Sequence, residues 1–560
     1  MNTNHPIGVL KSLSADCEYI SDSLGLFQTF SANTDNHLLF DSAEIESKNH
    51  LKSLMLIDAC MKITCHGLTV TLEALTDNGK DLLTFIAPQF STQIISQHSA
   101  HQLQLVFPVS DSTGDEDQRL KSLSPVDALR FIVKGIKTSS PHQQALFLGG
   151  IFAYDFIATF EDLMAVPESD NICPDFMFYV AETLMIQNHQ TQKGELIASV
   201  FGGLYSDENE QHLNARLEEI QQQCLDFETV DSPVIPLTGK VSTDVSDQDY
   251  CSIVEELKEY IVKGDIFQVV PSRSFSLSCP DPIAAYAKLK QTNPSPYMFY
   301  LKDSDFTLFG ASPESALKYT QASNDVEIYP IAGTRRRGFN PDGSINKDLD
   351  SRLELELRLD QKETSEHLML VDLARNDVAR ISEPGTRHVA DLLKVDRYSH
   401  VMHLVSRVIG QLRRDLDALH AYQACMNMGT LVGAPKISAS NLVRQVEKKR
   451  RGSYGGAVGY INGSGDMDTC IVIRSAFVKN GIAQAQAGAG VVFDSIPQSE
   501  ADETRTKAAA VLNAIALAHG TTLAEVSVPD VSVPDASLPE DSLPEVVSSS
   551  KISSTVAHGE

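Results

Sequence analysis

The chain has 560 residues, more than one compact domain normally contains, so two or more subdomains are expected. Its 74 Asp and Glu residues against 46 Lys and Arg give a formal net charge of -28, which argues against a nucleic acid or an anionic membrane as the main partner. Hydrophobic residues at 42% and charged residues at 21% are typical of a folded globular protein and exclude global disorder.

The cysteine content and the first residues predict a cytoplasmic protein. There are nine cysteines and no C-x-x-C pair, so neither a disulfide framework nor a thiolate zinc site is indicated. The opening residues MNTNHPIGVLKSLSADC lack the basic flank and apolar run of a signal peptide. We therefore expect a reducing compartment.

The segment 230–248 is rich in Pro, Gly, Ser and Asp and lies between two regions with periodic hydrophobic patterns. It therefore predicts a connection between a part at 1–245 and a part at 246–520. After it, apolar residues recur at helical spacing from Tyr250 to Ile261, with Ser246 or Asp247 as the cap and Gly264 as the end. The β-branched and aromatic segment 266–277 predicts a strand.

The rest of the chain to about residue 517 alternates both patterns and predicts a mixed α and β fold. Strands are predicted at 297–301, 307–310, 454–461, 470–478 and 482–493, and helices at 351–374 and 498–517. From Ser527 a short Pro and acid repeat leads into a Ser-rich end, so residues 521–560 are predicted to be a disordered acidic tail.

Two glutamate doublets give the clearest chemical signal. Glu363 and Glu366 are three residues apart in one helical pattern, and Glu500 and Glu503 in another, so each doublet projects from one helix face. Four carboxylates from two helices would suit a hard cation such as Mg²⁺. Solvated helix faces are the commoner explanation of such pairs, but both helices here run directly into apolar segments.

Other features leave alternatives open from residue type alone. The glycine-rich stretches 452–459 and 488–490 could hold a carboxylate on backbone amides or could be bulges. The basic runs 335–337 and 448–451 could bind anions, although pairing with nearby acids or solvation is commoner. His403 lies in an apolar pattern and by default is a packed core histidine.

Several ordered motifs resemble one family. They are ASPES at 311–315, PIAGTRRRG at 330–338, ETSEHLMLVDLARND at 363–377, GAPK at 433–436, SYGGAVGY at 453–460, IRSA at 473–476, AQAGAGVV at 485–492 and DSIPQSEADETRTKA at 494–508. Together they resemble the chorismate-utilising enzymes, and within them the large subunits of anthranilate synthases. The resemblance spans about residues 36–517.

The resemblance implies an α+β fold of two large packed sheets with helices outside. It also implies an N-terminal part (1–245) with a regulatory tryptophan site and a C-terminal part (246–520) that binds chorismate. The implied reaction converts chorismate and ammonia to anthranilate and pyruvate with Mg²⁺ held by the glutamate doublets. Gln268 stands where water-activating relatives have lysine, and Ala332 stands where aminodeoxychorismate synthases have lysine.

Individual roles also follow from the resemblance. Glu314 is implied to protonate the departing C4 hydroxyl, and His403 is linked to pyruvate elimination, with Gln268 and Thr430 beside them in the catalytic group. The implied substrate-binding residues are Gly333, Thr334, Tyr454, Arg474, Gly488, Ala489, Gly490 and Lys507.

A feedback site for tryptophan is implied by LLFDSAEI at 38–45 together with NPSPYMFY at 293–300. Its residues are Ser42, Lys52, Pro296, Tyr297, Met298, Gly459, Tyr460 and Cys470. The family usually carries Glu where this chain has Asp41, so its carboxylate is one methylene shorter.

The family further implies a separate glutamine amidotransferase subunit as partner, since no G-x-C-x-G nucleophile motif surrounds any cysteine. Two alternatives remain. One is an aminodeoxyisochorismate synthase that stops before pyruvate leaves, and the other is a non-catalytic relative that senses tryptophan.

Overall fold

The protein was analysed as a computed structural model, which describes residues 5–32, 34–42, 51–109, 114–140, 142–228, 233–398 and 401–527. The strands are β1 Val9–Cys17, β2 His37–Asp41, β3 Lys52–His66, β4 Thr69–Ala74, β5 Ile95–His98, β6 Gln102–Val106, β7 Lys137–Thr138, β8 Phe147–Phe152, β9 Phe176–Asn188, β10 Lys193–Phe201, β11 Ser242–Thr243, β12 Gln268–Val269, β13 Ser272–Ser278, β14 Tyr297–Lys302, β15 Thr307–Ser312, β16 Ser315–Thr320, β17 Asp325–Ile328, β18 Ile331–Arg336, β19 His388–Arg397, β20 Val401–Gln411, β21 Gly433–Ala434, β22 Ala457–Asn462, β23 Met467–Ile471, β24 Ser475–Lys479 and β25 Ile482–Gly488.

The α-helices are α1 Ser23–Ser31, α2 Asp77–Ile86, α3 Glu116–Lys121, α4 Asp127–Gly135, α5 Ser206–Leu225, α6 Asp247–Lys263, α7 Pro282–Thr292, α8 Lys347–Leu359, α9 Gln361–Ile381, α10 Ala418–Cys425, α11 Gly429–Val432, α12 Lys436–Glu447, α13 Pro497–Ala518 and α14 Leu523–Val526. Two 3₁₀ helices cover Ala87–Gln89 and Tyr154–Thr159.

The long antiparallel pair β3 and β9 joins two sheets. The N-terminal half of β3 pairs with β2 and its C-terminal half pairs with β4, while β9 pairs with β10 at one end and β8 at the other. Almost every residue of β9 is buried, which agrees with its largely apolar sequence FMFYVAETLMIQN.

From this pair one sheet extends through β2, β14, β15, β24, β25, β13 and β11, with β10 and β1 on its other flank. The second sheet extends through β8, β22, β23, β16, β17 and β20, which is flanked by β18 and β19. Strands of the predicted N-terminal part therefore pair directly with strands of the C-terminal part, as in β2 with β14 and β8 with β22.

The two sheets pack face to face over a core that contains no helical residue within the described ranges. It includes Leu38 and Phe299 from the first sheet and Phe147 and Val458 from the second. Alternate residues of the same strands, such as Leu39 and Met298, face the helices outside instead. The expected fold of two packed sheets with outer helices is confirmed.

The predicted helices are close to the observed ones. Helix α6 is capped by Ser246 and ends at Gly264 in a left-handed conformation. The pattern at 351–374 is two helices, because Asp360 ends α8 and its side chain accepts from Lys362 and Glu363 at the start of α9.

Several predicted strands are shorter or divided. The pattern 266–277 breaks at residues 270–271, and 470–478 breaks around Arg474, whose φ is +48°. The strand expected at 454–461 begins at Ala457, and the one expected at 482–493 ends at Gly488. At these breaks the chain leaves the large sheets, and the small pair β12 and β21 forms instead.

The ordered body extends beyond the predicted limit at residue 520. Helix α14 buries Leu523 and Val526 against the outer core, and the Val526 carbonyl accepts from the Val241 amide at 2.9 Å. The prediction of a disordered tail otherwise falls on residues 528–560, which lie outside the described residues. Within the described ranges, the helices are all too short or too polar to cross a membrane.

Candidate active site

The first glutamate doublet lies at the start of α9 and faces β12. The Gln268 amide donates from Nε2 to Oε1 of Glu366 at 3.0 Å. A side chain at position 490 would meet Gln268 Nε2 at 2.6 Å, so glycine lets this backbone approach the pair without displacing the Gln268 amide. Burial raises the pKa of Glu366, and the negative charges of Glu363 and Glu503 raise it further.

The second doublet lies in the first turns of α13. Burial raises the pKa of Glu500. Burial also opposes ionisation of Glu503, but the Lys507 ammonium at 2.6 Å prevails and lowers its pKa. The charge of Glu503 raises the pKa of Glu366, so the two doublets lie within electrostatic range of each other.

The four carboxylates do not form a ready ligand cluster. Glu363 pairs with Arg335 at 3.2 Å, and Glu503 pairs with Lys507. Among the described residues, no three carboxylate, imidazole or thiol groups lie close enough together to hold a metal ion as they stand. The groups of the two doublets that could bind an ion are carboxylate oxygens. Beside Glu366, the buried Oε1 of Gln268 has no hydrogen-bond partner among the described residues.

Glu314 occupies the buried turn between β15 and β16. Thr430 Oγ1 of α11 donates to its Oε1 at 3.1 Å. Burial raises the pKa of Glu314 to about 8, although Thr430, Lys507 and Arg474 each oppose the rise. The carboxyl is therefore mainly protonated at neutral pH and can act as an acid.

Two cations face these acids. Lys507 donates to the Gly488 carbonyl at 2.9 Å, and its charge acts on Glu314 and Glu503 alike. Arg474 acts on the same two carboxylates, and its guanidinium has no hydrogen-bond or ion-pair partner within the described ranges. Its donors are free for an anionic ligand.

The glycine-rich segment 488–490 runs between these groups. A side chain at Gly488 would meet the hydroxyl of buried Tyr454 at 3.2 Å. The Ala489 amide donates to the Pro271 carbonyl at 3.3 Å. The predicted substrate-binding residues in this segment therefore lie beside Tyr454 and, at residue 490, beside the first doublet.

His403 lies on β20 next to the β-bulge of β18 at Gly333, where φ is +72°. Its Nδ1 is 3.3 Å from the Gly333 carbonyl and 3.0 Å from Thr334 Oγ1. A carbonyl can only accept, so Nδ1 carries the proton and Nε2 is an acceptor. Burial lowers the pKa of His403 to about 4, so the ring is neutral at pH 7.

Two of the three arginines in the basic run at 335–337, Arg335 and Arg337, are paired with acids. Arg335 bonds Asp360 at 2.7 Å as well as Glu363, and Arg337 bonds Asp350 at 2.9 Å. This agrees with the commoner explanation given for such runs.

The residues predicted to bind tryptophan lie on both sheets, in or beside β2, β3 and β14 and on β22 and β23. Tyr297 donates to Asp468 at 3.2 Å, and Asp468 is opposite Tyr460 in the sheet. Pairing of β2 with β14 sets Asp41 opposite Met298. The remaining members are buried Pro296, Gly459 and Cys470, half-buried Ser42 and exposed Lys52. Residues 43–45 of the predicted motif lie outside the described residues.

Asp41 is held by residues that no sequence pattern singled out. Its buried carboxylate accepts from Ser53 Oγ at 2.7 Å and Ser23 Oγ at 3.0 Å, and it pairs with Lys290. Although burial opposes ionisation, hydrogen bonding with His189 and the Lys290 charge hold the pKa of Asp41 well below its usual range. Only the pairing of distant segments brings these groups together.

The chain is similar to a described family and to named relatives over most of its length. A family model described as chorismate binding enzyme matches residues 74–513. Anthranilate synthase component 1 of Vibrio parahaemolyticus is 59% identical over 513 residues, covering 92% of this chain and 94% of that protein. The protein of the same name from Escherichia coli K12 is 54% identical over 523 residues, covering 93% and 99%.

Two solved structures share the fold. Anthranilate synthase component I from Streptococcus pneumoniae superimposes with a TM-score of 0.65 at 30% identity, covering 84% of this chain and 94% of that one. The menaquinone-specific isochorismate synthase MenF from Escherichia coli gives a TM-score of 0.62 at 17% identity, covering 90% and 94%, and at that identity it shows a common fold alone.

Proposed function

The chain belongs to the family of chorismate-binding enzymes, and from that premise we propose that it is the large subunit of an anthranilate synthase, a lyase that converts chorismate and ammonia to anthranilate and pyruvate. The observation that carries the proposal is the protonated Glu314, fixed by Thr430 and facing Arg474 and Lys507. The names of the relatives with 54–59% identity support the same activity.

Chorismate carries two carboxylates, which the acidic surface of this protein would repel. Arg474 and Lys507 supply local positive charge for them, and the Gly490 amide is a further candidate donor. Tyr454 borders the same space. These groups would fix the ring so that its C4 hydroxyl meets Glu314.

In the first step Glu314 donates its proton to the C4 hydroxyl, the C4–O bond breaks and water leaves. Ammonia forms the new C2–N bond as the ring double bonds shift, and the proton that ammonia then loses restores the Glu314 carboxyl. Gln268 cannot act as a base, because an amide has no titratable proton near neutral pH, so water is not activated in place of ammonia. Its Nε2 instead orients Glu366.

In the second step the C3–O bond breaks, pyruvate leaves and the hydrogen on C2 is lost as the ring becomes aromatic. We assign removal of this C2 proton to the neutral His403, whose Nε2 is an acceptor and whose Nδ1 faces the Gly333 carbonyl. Thr334 helps to hold the ring in that orientation.

The oxygen donors of the glutamate doublets fit Mg²⁺ better than zinc, and Glu366 and Glu503 are proposed as direct ligands with Glu363 and Glu500 supporting them. When bound, the ion would act as a Lewis acid toward the ring carboxylate. For Glu503 to serve, it must exchange its contact with Lys507, which frees that ammonium for substrate.

We further propose a separate glutamine amidotransferase subunit as the source of ammonia, and tryptophan as a feedback inhibitor bound near Ser42, Tyr297 and Tyr460. All nine cysteines are free thiols, which supports a reducing cytoplasm as the place of action.

The test is an assay of the purified chain with chorismate, an ammonium salt and Mg²⁺. Fluorescent anthranilate and equimolar pyruvate are expected, with activity lost on chelation and recovered on adding Mg²⁺. A non-aromatic amino product without pyruvate would favour the aminodeoxyisochorismate synthase. Tryptophan binding without any turnover would favour the sensing relative.

A further inference from the structure

Arg451 is fully buried among the segments that carry the candidate site residues. Its exposure is 1%, and it is one of the largest fully buried side chains in the described ranges. In the sequence it is merely the last residue of a basic run after α12. A charge this deeply buried must be neutralised and fully hydrogen-bonded, so its partners reveal its purpose.

Two of those partners are backbone carbonyls next to site residues. Nη1 donates to the Leu431 carbonyl at 2.8 Å, and Leu431 directly follows Thr430. Nη2 donates to the Val270 carbonyl at 2.6 Å, two residues after Gln268. One guanidinium therefore joins α11 to the corner after β12.

Glu447 fixes the guanidinium from the opposite side. Its Oε2 accepts from Arg451 Nε at 2.9 Å, and its Oε1 accepts from Nη2 at 2.5 Å. The same Oε1 accepts from both the amide and the hydroxyl of Ser272 at 2.7 Å. Ser272 is paired with Gly488 in the sheet, so this network reaches the glycine-rich segment.

The guanidinium plane also contacts aromatic rings. Its Cζ lies 5.6 Å from the ring centroid of Tyr454 and 4.6 Å from that of Tyr154. Cation–π contacts of this kind fix ring position as well as contributing energy. Tyr454 is thereby held in the place where it borders Gly488.

We propose that Arg451, braced by Glu447, is a positioning residue that sets Thr430, Gln268 and Tyr454 relative to one another, and this role rests on the function proposed above. The requirement is specific to arginine. Two carbonyls, two carboxylate oxygens and an aromatic face need a planar fork of five donors, which the single ammonium of lysine cannot supply.

The primary variant is Arg451→Lys, which keeps the charge and the pairing with Glu447. Its kcat should fall by roughly 100-fold, because a misplacement of about 1 Å away from the chemistry can cost that factor. KM for chorismate should change far less, since Arg474 and Lys507 are untouched. Loss of the Thr430 hydrogen bond should raise the pKa of Glu314, so the alkaline limb of the kcat profile should move to higher pH.

The matched control is Arg444→Lys. Arg444 is also buried and also bonds one carboxylate, Asp155 at 2.8 Å, and one carbonyl, that of Met164 at 2.8 Å. Asp155 also accepts from the Gly452 amide at 2.9 Å, so the control reaches the residue after Arg451, but neither partner is bonded to the Thr430 or Gln268 segment. This control should lose comparable stability while keeping near wild-type kcat and an unmoved pH profile.

Two readouts separate positioning from simple loss of fold. Hydrogen exchange at the Val270 amide, which donates to the Val432 carbonyl at 3.1 Å, should accelerate in Arg451→Lys but not in Arg444→Lys. In Arg451→Ala, guanidinium chloride at a non-denaturing concentration should restore part of kcat, and sodium chloride should not.

If Arg451→Lys keeps the kcat, the KM and the pH profile of the wild type, the proposal is overturned. Activity losses that track stability equally in Arg451→Lys and Arg444→Lys would also overturn it. Wild-type protein that yields no anthranilate would contradict the proposed function, while the exchange comparison would still decide whether Arg451 holds these segments.

Discussion

Replacing Glu314 by glutamine should destroy activity while stabilising the fold. Glutamine keeps the shape of the side chain but cannot donate an acidic proton to the C4 hydroxyl. General acid catalysis contributes about 100-fold to 10,000-fold, or roughly 3–5 kcal/mol of barrier, so kcat should fall by that range.

The stability effect follows from the raised pKa. Burial lifts the pKa of Glu314 from the ordinary 4.5 to about 8, so the folded state holds this proton more tightly than the unfolded state does. Folding stability from this group is therefore fully present below about pH 4.5 and is lost progressively as pH rises toward 8. At pH 7, about 2.5 pH units above the ordinary pKa of 4.5, a carboxyl that stays protonated on folding destabilises the folded state. At 1.36 kcal/mol per unit, that cost is about 3 kcal/mol.

Glutamine removes that cost, because an amide does not ionise in either state. The stability advantage of Glu314→Gln over wild type should thus grow by about 3 kcal/mol between pH 5 and pH 8. Denaturant unfolding at the two pH values measures it, with Glu255→Gln on the exposed face of α6 as the control. A stability difference that does not vary with pH, or retained turnover in the variant, would refute this reasoning.

Three further outcomes test the other groups. Glu366→Gln should abolish turnover at ordinary Mg²⁺ concentration, because it removes a proposed ligand and leaves the Gln268 contact; wild-type kcat across a Mg²⁺ titration would contradict the metal assignment. His403→Met should release the amino intermediate in place of anthranilate, as followed by chromatography of the products, and unchanged anthranilate output would exclude His403 from the elimination. Ser42→Phe should give activity that resists tryptophan with unchanged kcat, and undiminished inhibition would move the effector site elsewhere.

The boundaries of α6 could be predicted from the sequence, because local capping residues set them. Ser246 and Gly264 cap α6 in the structure as the sequence predicted. The breaks in the strands could not be predicted from the sequence, because the apolar patterns at 266–277 and 470–478 continue across them. Residues 268–269 pair with the distant segment 433–434 instead of the large sheet, and no local pattern signals that pairing.

The sequence by itself determined which reactive groups are present, namely two glutamate doublets on helices and a glutamine where relatives carry lysine. It also determined the family to which the fold belongs. Only the tertiary structure decided which of these groups meet, as Thr430 with Glu314 and Gln268 with Glu366 are separated by 116 and 98 residues. It also decided the protonation of Glu314, because a carboxyl keeps its proton at neutral pH only where packing from many segments removes it from water. Spacing along one chain carries no record of that burial.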